Sequence, residues 1–336
     1  MSRTTRTTWI LAAFTAAAAA TAAWCPGPAR AAESRTPISA PRTISASGSY
    51  VLTRDIAAAD GTITVTAGTV SIDLNGHTVL ATGSSGTAVA VNGPANATLR
   101  NGRIYGGRYG LYLSPASGGS RVTVSHVEFE ASTLAIVATD PGELVVEDAT
   151  IHDVSDAVHV TSTAVPSVLR FVRNDVRAFT GIVLNATGLS MRGAIEDNVL
   201  RLGGGDGLSL TGDSRGASIA RNRIAGAGTG ITLAGPGGHV VEDNVITQGT
   251  ANGINVGADN CHVFHNAVTA CAGTGILVNG SGVLVDSNLV NANLGYGLLF
   301  GYSAQGGIYR NNVTRGNAIS DLLDPVFSNT NAGGNQ

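Results

Sequence analysis

The stretch "EDNVITQGTANGINV", Glu242 to Val256, repeats the form of "EDNVLRLGGGDGLSL", Glu196 to Leu210, which begins 46 residues earlier. Both open on Glu-Asp-Asn-Val and close on glycine followed by apolar, polar and apolar residues. Outward from this pair, the asparagine of an x-x-Asn-x-apolar unit recurs at Asn174, Asn198, Asn222, Asn244, Asn266, Asn288 and Asn311, at intervals of 22 to 24 residues. A second register keeps the same step: "GIVL" at Gly181, "GLSL" at Gly207, "GITL" at Gly230, "GINV" at Gly253, "GILV" at Gly275 and "GLLF" at Gly297. Weaker copies run back through "AVHV" at Ala157, "LAIV" at Leu134, "GLYL" at Gly110 and "AVAV" at Ala88. The echo is therefore two periods of a repeat of about 23 residues.

No long segment keeps a 3.6-residue apolar period, so helices are not the building block. A repeat of this length holds two or three short strands, and such a unit cannot bury its apolar side alone. Coiling solves the problem: strands of successive turns pair in parallel about 4.8 Å apart, and their inward residues stack into one core. The expected fold is all-β, a parallel β-helix (solenoid) of about ten coils of 22–26 residues. Asparagine suits the repeated turn because its amide both donates and accepts, so the copies can form a ladder. Beside it, Arg173, Asp197, Arg221, Asp243 and His265 alternate in sign and read as a surface ion-pair column. The expected organisation is a signal peptide at 1–31, an N-terminal segment and cap at 32–61, the β-helix at 62–314 and a polar C-terminal tail at 315–336.

The signal peptide is read from arginines without acids in "MSRTTRTT", an alanine-rich apolar run, and a small-x-small site at Ala29-Arg30-Ala31. It implies a secreted or periplasmic protein with no membrane insertion after cleavage. All 20 basic residues are arginine against 23 acidic residues. No general basic field exists to hold nucleic acid, and no lysine is available as a base, Schiff base or phosphate ligand. Cys261 and Cys271 form an even pair that an oxidising compartment could bridge, although their directions along the coil need not converge.

The units "GSYVLTRDI", "IDLNGHTV", "LRNGRIYG" and the repeated Gly-Ile-x-Val elements resemble the right-handed parallel β-helix proteins of the pectin lyase-like superfamily over about Ser47 to Val313. The resemblance implies a right-handed coil and relatives that act on acidic polysaccharides. Most catalytic signatures of that superfamily fail here. The Arg-x-Lys of polygalacturonases and the lysine base of β-helix alginate lyases are ruled out by composition. "YGLYLSPAS" at Tyr109 and "YGLLFGYS" at Tyr296 begin the epimerase motif Tyr-Gly-apolar-Asp-Pro-His without completing it. What remains is the chemistry of pectate lyases, which hold Ca²⁺ on clustered aspartates and abstract a proton with arginine.

The residues able to carry that chemistry gather in "IHDVSDAVHV" and the two following coils. On this reading Arg177 or Arg201 is the base, and His159 and Asp206 join them as catalytic candidates. His152, Asp156, Tyr112 and Asn185 are the substrate-binding candidates. Asp153, Asp156 and Asp206 are the Ca²⁺ ligands. In the Gly-apolar-x-apolar strands the x position points outward, giving Tyr112, Ile136, His159, Val183 and Ser209 on one surface. The expected partner is a uronate-containing polysaccharide, which the protein acts on or binds, and the protein itself is expected to be a monomer. Two alternatives stay open: a non-catalytic carbohydrate-binding or adhesion rod, and an accessory protein of periplasmic metal handling.

Overall fold

The computed structural model describes residues 35–66, 68–114, 118–325 and 328–336, with the side chains of 187–190 excepted. The expected signal peptide at 1–31 lies outside the described residues. Among them every regular element is a strand, no helix occurs, and the strands coil into a right-handed parallel β-solenoid of about 12 turns. No helix of the described residues is long and apolar enough to cross a membrane.

Each turn contributes up to three strands, and all pairing between turns is parallel. In one turn these are Ser218–Ala220, Arg223–Ala225 and Ile231–Leu233. They pair with Val240–Glu242, Val245–Thr247 and Ile254–Val256 of the next turn. The pattern defines a first, second and third stack of strands along the coil. Alternation sends every second side chain inward. Thus Ile104, Phe129, Ile151, Val176, Leu200 and Ile224 lie in register down the second stack, all buried. Leu99, Val124, Val146, Phe171, Ile195 and Ile219 do the same in the first.

The asparagine ladder occupies the corner between the first and second stacks. The backbone N–H of Asn222 donates to Asn244 Oδ1 at 3.0 Å, and Asn222 Nδ2 donates to Asn244 Oδ1 at 2.9 Å and to the Ile195 carbonyl at 2.8 Å. The same bonds link Asn174 to Asn198, Asn198 to Asn222, Asn244 to Asn266 and Asn266 to Asn288. The next rung is Asn312 and not Asn311: Asn288 donates to Asn312 Oδ1, whereas Asn311 is exposed and donates to Asp286. The two adjacent asparagines differ in backbone. Asn311 adopts φ +55°, as do its column mates Arg173, Asp197, Arg221, Asp243 and His265 within a few degrees. The charged column is thus the left-handed residue that opens each turn, and the ladder asparagine follows it into the interior.

The solenoid also runs past both expected boundaries. Thr36–Ile38 already pairs with Gly48–Leu52, and Ser320–Leu323 and Thr330–Asn331 pair with the turn before them. Within the third stack the outward residue of "LAIV" is Val137, because Ile136 pairs with Leu111 and Val158 in the core. The repeat unit there begins at Ala135, one residue later than at the glycine-headed strands.

Candidate functional site

The outward face of the second stack carries most of the exposed chemistry. Its strands each present two outward positions. In register, one row reads Thr78, Arg103, Glu128, Thr150, Asp175, and the other Leu80, Tyr105, Glu130, His152, Arg177, Arg201. Further along, the first row carries Arg223 and the second continues as Ala225, Thr247, Thr269 and Asn291 without charge until Arg315.

Two groups form within this face. In the first, Arg103 Nε donates to Glu128 at 2.9 Å and the guanidinium lies 3.5 Å from Glu130. The His152 ring bridges Glu128 at 2.9 Å and Asp153 at 3.0 Å. The hydrogen bond to Glu128 is the largest cause that raises the His152 pKa above its usual value, and the same bond holds Glu128 below the usual carboxylate range. Ligand atoms of Glu128, Glu130 and His152 all lie within 4.8 Å of one another, a metal-type cluster. Arg103 already pairs with both of its carboxylates.

In the second group, Arg177 pairs in register with His152 on one side and Arg201 on the other. Arg201 Nη1 donates to Asp175 at 2.6 Å. Among the described residues no carboxylate lies within ion-pairing distance of Arg177. Arg177 and Arg201 line an open groove with Asp153, Val154, Leu202 and Gly203. Asp153 reaches it because it takes the left-handed conformation, φ +55°, at the corner that ends the second stack.

The expected site is therefore divided. His152, Asp153, Arg177 and Arg201 come together on and beside the second stack. Tyr112, Asp156, His159 and Asn185 lie on the third. There Tyr112 stacks on Tyr109 with ring centroids 5.1 Å apart, and Val137 separates it from His159 in the row. Asp156 pairs with Thr180, and Asn185 sits between Thr161 and Thr211. Asp206 stands one coil beyond Thr180 and two beyond Asp156, and its carboxylate accepts the Thr229 N–H at 3.2 Å. Two coils are roughly 10 Å. Among the described residues, Asp153, Asp156 and Asp206, the three aspartates named for Ca²⁺, do not bring their carboxylates within 4.8 Å of one another as a group.

Four members of the second-stack face were missed: Arg103, Glu128, Glu130 and Asp175. The signal was present in "RVTVSHVEFE", Arg121–Glu130, where Val127 and Phe129 alternate inward and Glu128 and Glu130 outward.

Comparison with known proteins bears on the fold. Residues 180–333 match the family model of the right handed beta helix region. No curated protein sequence matches the chain. Among solved structures, a point mutant of the periplasmic alginate epimerase AlgG superposes with a TM-score of 0.61 at 15% identity, over 89% of this chain and 77% of that one. The unmutated AlgG gives 0.54 at 13% identity, over 85% and 77%. A mannuronic acid specific polysaccharide family 6 lyase from human gut microbiota gives 0.52 at 12% identity, over 83% and 79%. The likeness shows the fold, a right-handed parallel β-helix.

Proposed function

We propose that this chain binds a carboxylated polysaccharide along the outward face of its second stack, outside the cytoplasm, with Arg177 as the central carboxylate contact. The observation that carries the reading is a guanidinium without a carboxylate partner, flanked in its row by His152 and Arg201 one coil away on either side. A planar fork of donors held on a rigid strand is suited to a uronate carboxylate. The hydrogen bond to Glu128 raises the pKa of His152 and so favours its charged form beside Arg177. The signal-like leader and the kinship in fold with an epimerase called periplasmic and a polysaccharide lyase support both the substrate class and the location. Isothermal titration with alginate and polygalacturonate oligomers tests it. Binding that Arg177→Ala weakens is the expected result, and no binding of either polymer overturns it.

A second reading, β-elimination, is favoured by the contrast between the two arginines. Arg201 is engaged by Asp175, while Arg177 has no carboxylate within ion-pairing distance among the described residues and stays free to face a substrate. Arg177 would take the proton α to the uronate carboxylate. The electron pair closes to a C4=C5 double bond, the glycosidic C4–O bond breaks, and the departing oxygen takes a proton, for which protonated His152 is the nearest donor in the row. No step runs through Ca²⁺, since Asp153, Asp156 and Asp206 do not converge. New ultraviolet absorbance from the unsaturated uronate is the expected signal. A polymer bound without that absorbance leaves the chain as a binding module.

A further inference from the structure

Phe179 presents an aromatic ring to solvent at the edge of the arginine groove. It is 57% exposed, in a chain whose other fully described phenylalanines are buried or half-buried. The strand Asp175–Glu196 alternates strictly at its start, with Asp175, Arg177 and Phe179 exposed and Val176 and Ala178 buried, so the guanidinium and the ring share one side of one strand. Two residues of strand separate them by roughly 7 Å.

The next coil is shaped around that ring. Gly203, Gly204 and Gly205 run beside Phe179, tied down by Gly203 N–H to the Ala178 carbonyl and Gly205 N–H to the Phe179 carbonyl, both at 3.0 Å. A Cβ on Gly203 would stand 3.2 Å from Phe179 Cδ2. On Gly205 it would stand 2.3 Å from Thr180 Oγ1 and 2.8 Å from the Phe179 carbonyl oxygen. Gly204 holds φ +117°, which strains any other residue. One coil further on come Gly226, Ala227 and Gly228, and a Cβ on Gly228 would stand 2.7 Å from the Gly204 carbonyl oxygen. The floor beside Phe179 is thus bare of side chains at Gly203, Gly204 and Gly205, and one coil further on the Asp206 carboxylate approaches Gly228 at its margin.

We infer that Phe179 is the stacking platform of a sugar subsite, and that its occupant is one uronate residue whose carboxylate reaches Arg177 and Arg201. The inference rests on the reading under "Proposed function" and sharpens it. A pyranose has an apolar face of C–H groups and a polar rim. An exposed ring on a bare glycine shelf receives the face, while the guanidinium two residues earlier on the same side of the strand receives the charged rim. A neutral sugar satisfies the ring and leaves the arginines unused. A small anion does the reverse. Only a carboxylated sugar uses both.

The test is affinity of the full chain for one uronate oligomer, compared with the same oligomer after reduction of its carboxylates. Phe179→Ala is expected to lower affinity for the uronate oligomer at least about fivefold, and Phe179→Tyr to restore it. Phe179→Trp is expected to shift its indole emission on adding the uronate oligomer and not the reduced one, a change absent from the starting chain. Unaltered melting temperature verifies that each variant folds, which its exposed position favours. If Phe179→Ala binds as well as the starting chain while Arg177→Ala does not, the platform is overturned and polysaccharide binding stands. If the Phe179→Trp emission responds equally to both oligomers, the uronate occupant is overturned. If the starting chain binds neither oligomer, both readings fall.

Discussion

The first and last coils solve the same packing problem with different means. Between Ala95 and Ser162 the strands are long, up to 13 residues, and run around corners. The ladder position holds Gly102, Val127 and Ala149, and the second-stack face is crowded with charge. From Asn222 to Asn312 nearly every strand has three residues, each turn is bonded by a buried asparagine, and past Arg223 the same face is reduced to residues such as Val245, Thr247, Ala267 and Thr269. Arg177 and Arg201 stand where the two regimes meet, three residues past Asn174 and Asn198, the first two rungs. Regularity and chemistry are thus largely segregated, and the groove borrows its rigidity from the start of the ladder.

The corner before the first stack offers the largest contrast. In the early coils the buried apolar residues Val122, Leu144 and Leu169, in register with one another, fill it. In the later ones His239 does so, with Nδ1 accepting the Ala217 N–H at 3.2 Å and Nε2 buried without a partner among the described residues. Burial lowers the His239 pKa to about 4 from 6.5. The folded state therefore refuses a proton that the unfolded chain accepts between these values, and stability falls as pH drops from about 6.5 to about 4. The loss over that window is about 3 kcal/mol, fully absent above it. Urea unfolding at stepped pH measures the slope, and His239→Val, which copies Val122 of the early coils, is expected to flatten it.

Next in size is the ladder. Asn244 Oδ1 accepts from Asn222, while its Nδ2 donates to the carbonyls of Ile219 and Glu242 and to Asn266 Oδ1. Asn244→Leu strands these groups in a buried corner and is expected to cost roughly 1–3 kcal/mol. Denaturant midpoints that leave this variant unchanged would show that the rungs do not differ energetically from Val127 and Ala149 in the early coils.

Smaller still is the effect on recognition. Arg177→Ala is expected to weaken binding of a uronate oligomer about tenfold, or about 1.4 kcal/mol, with the fold intact because the side chain is exposed. The smallest effect is expected for Arg221→Ala, in the charged column. Arg221 pairs with Asp197 at 2.8 Å and Glu196 at 3.0 Å, and this holds Asp197 below its usual pKa, yet all three are well solvated. Salt screens such pairs, so binding and melting temperature should both stay close to those of the starting chain. Equal losses in Arg177→Ala and Arg221→Ala would erase the distinction between groove and column.

The repeat was legible because both its signals are forced by geometry. A buried asparagine must recur at the coil length, and a strand that turns inward must alternate. What was not legible is how individual turns vary. Asn311 and Asn312 are chemically identical, and only the left-handed backbone of the first decides which one enters the core. Ile136 and Val137 are interchangeable apolar residues until pairing with Leu111 fixes which faces in. The site was half legible for the same reason. His152, Arg177 and Arg201 share a row because their coils keep step, whereas the corner at Asp153 directs Asp156 and His159 to the third stack. Cys261 and Cys271 are both buried and present as free thiols, one ahead of the first stack and one after the second, so closeness in sequence did not make them a pair.

The ladder makes this chain tolerant to recombination. From Asn222 to Asn288 each rung accepts from the one before and donates to the one after at the same 22-residue step, so neighbouring rungs are equivalent to the protein around them. An unequal crossover that duplicates or removes one such unit restores every bond it interrupts, and it does so beyond the groove, leaving Arg177 and Arg201 untouched. In the early coils, where no shared rung exists, the same event would join unlike corners. Inheritance can therefore adjust the length of one half of this molecule freely while the other stays fixed, and the boundary between the two lies at the arginine groove.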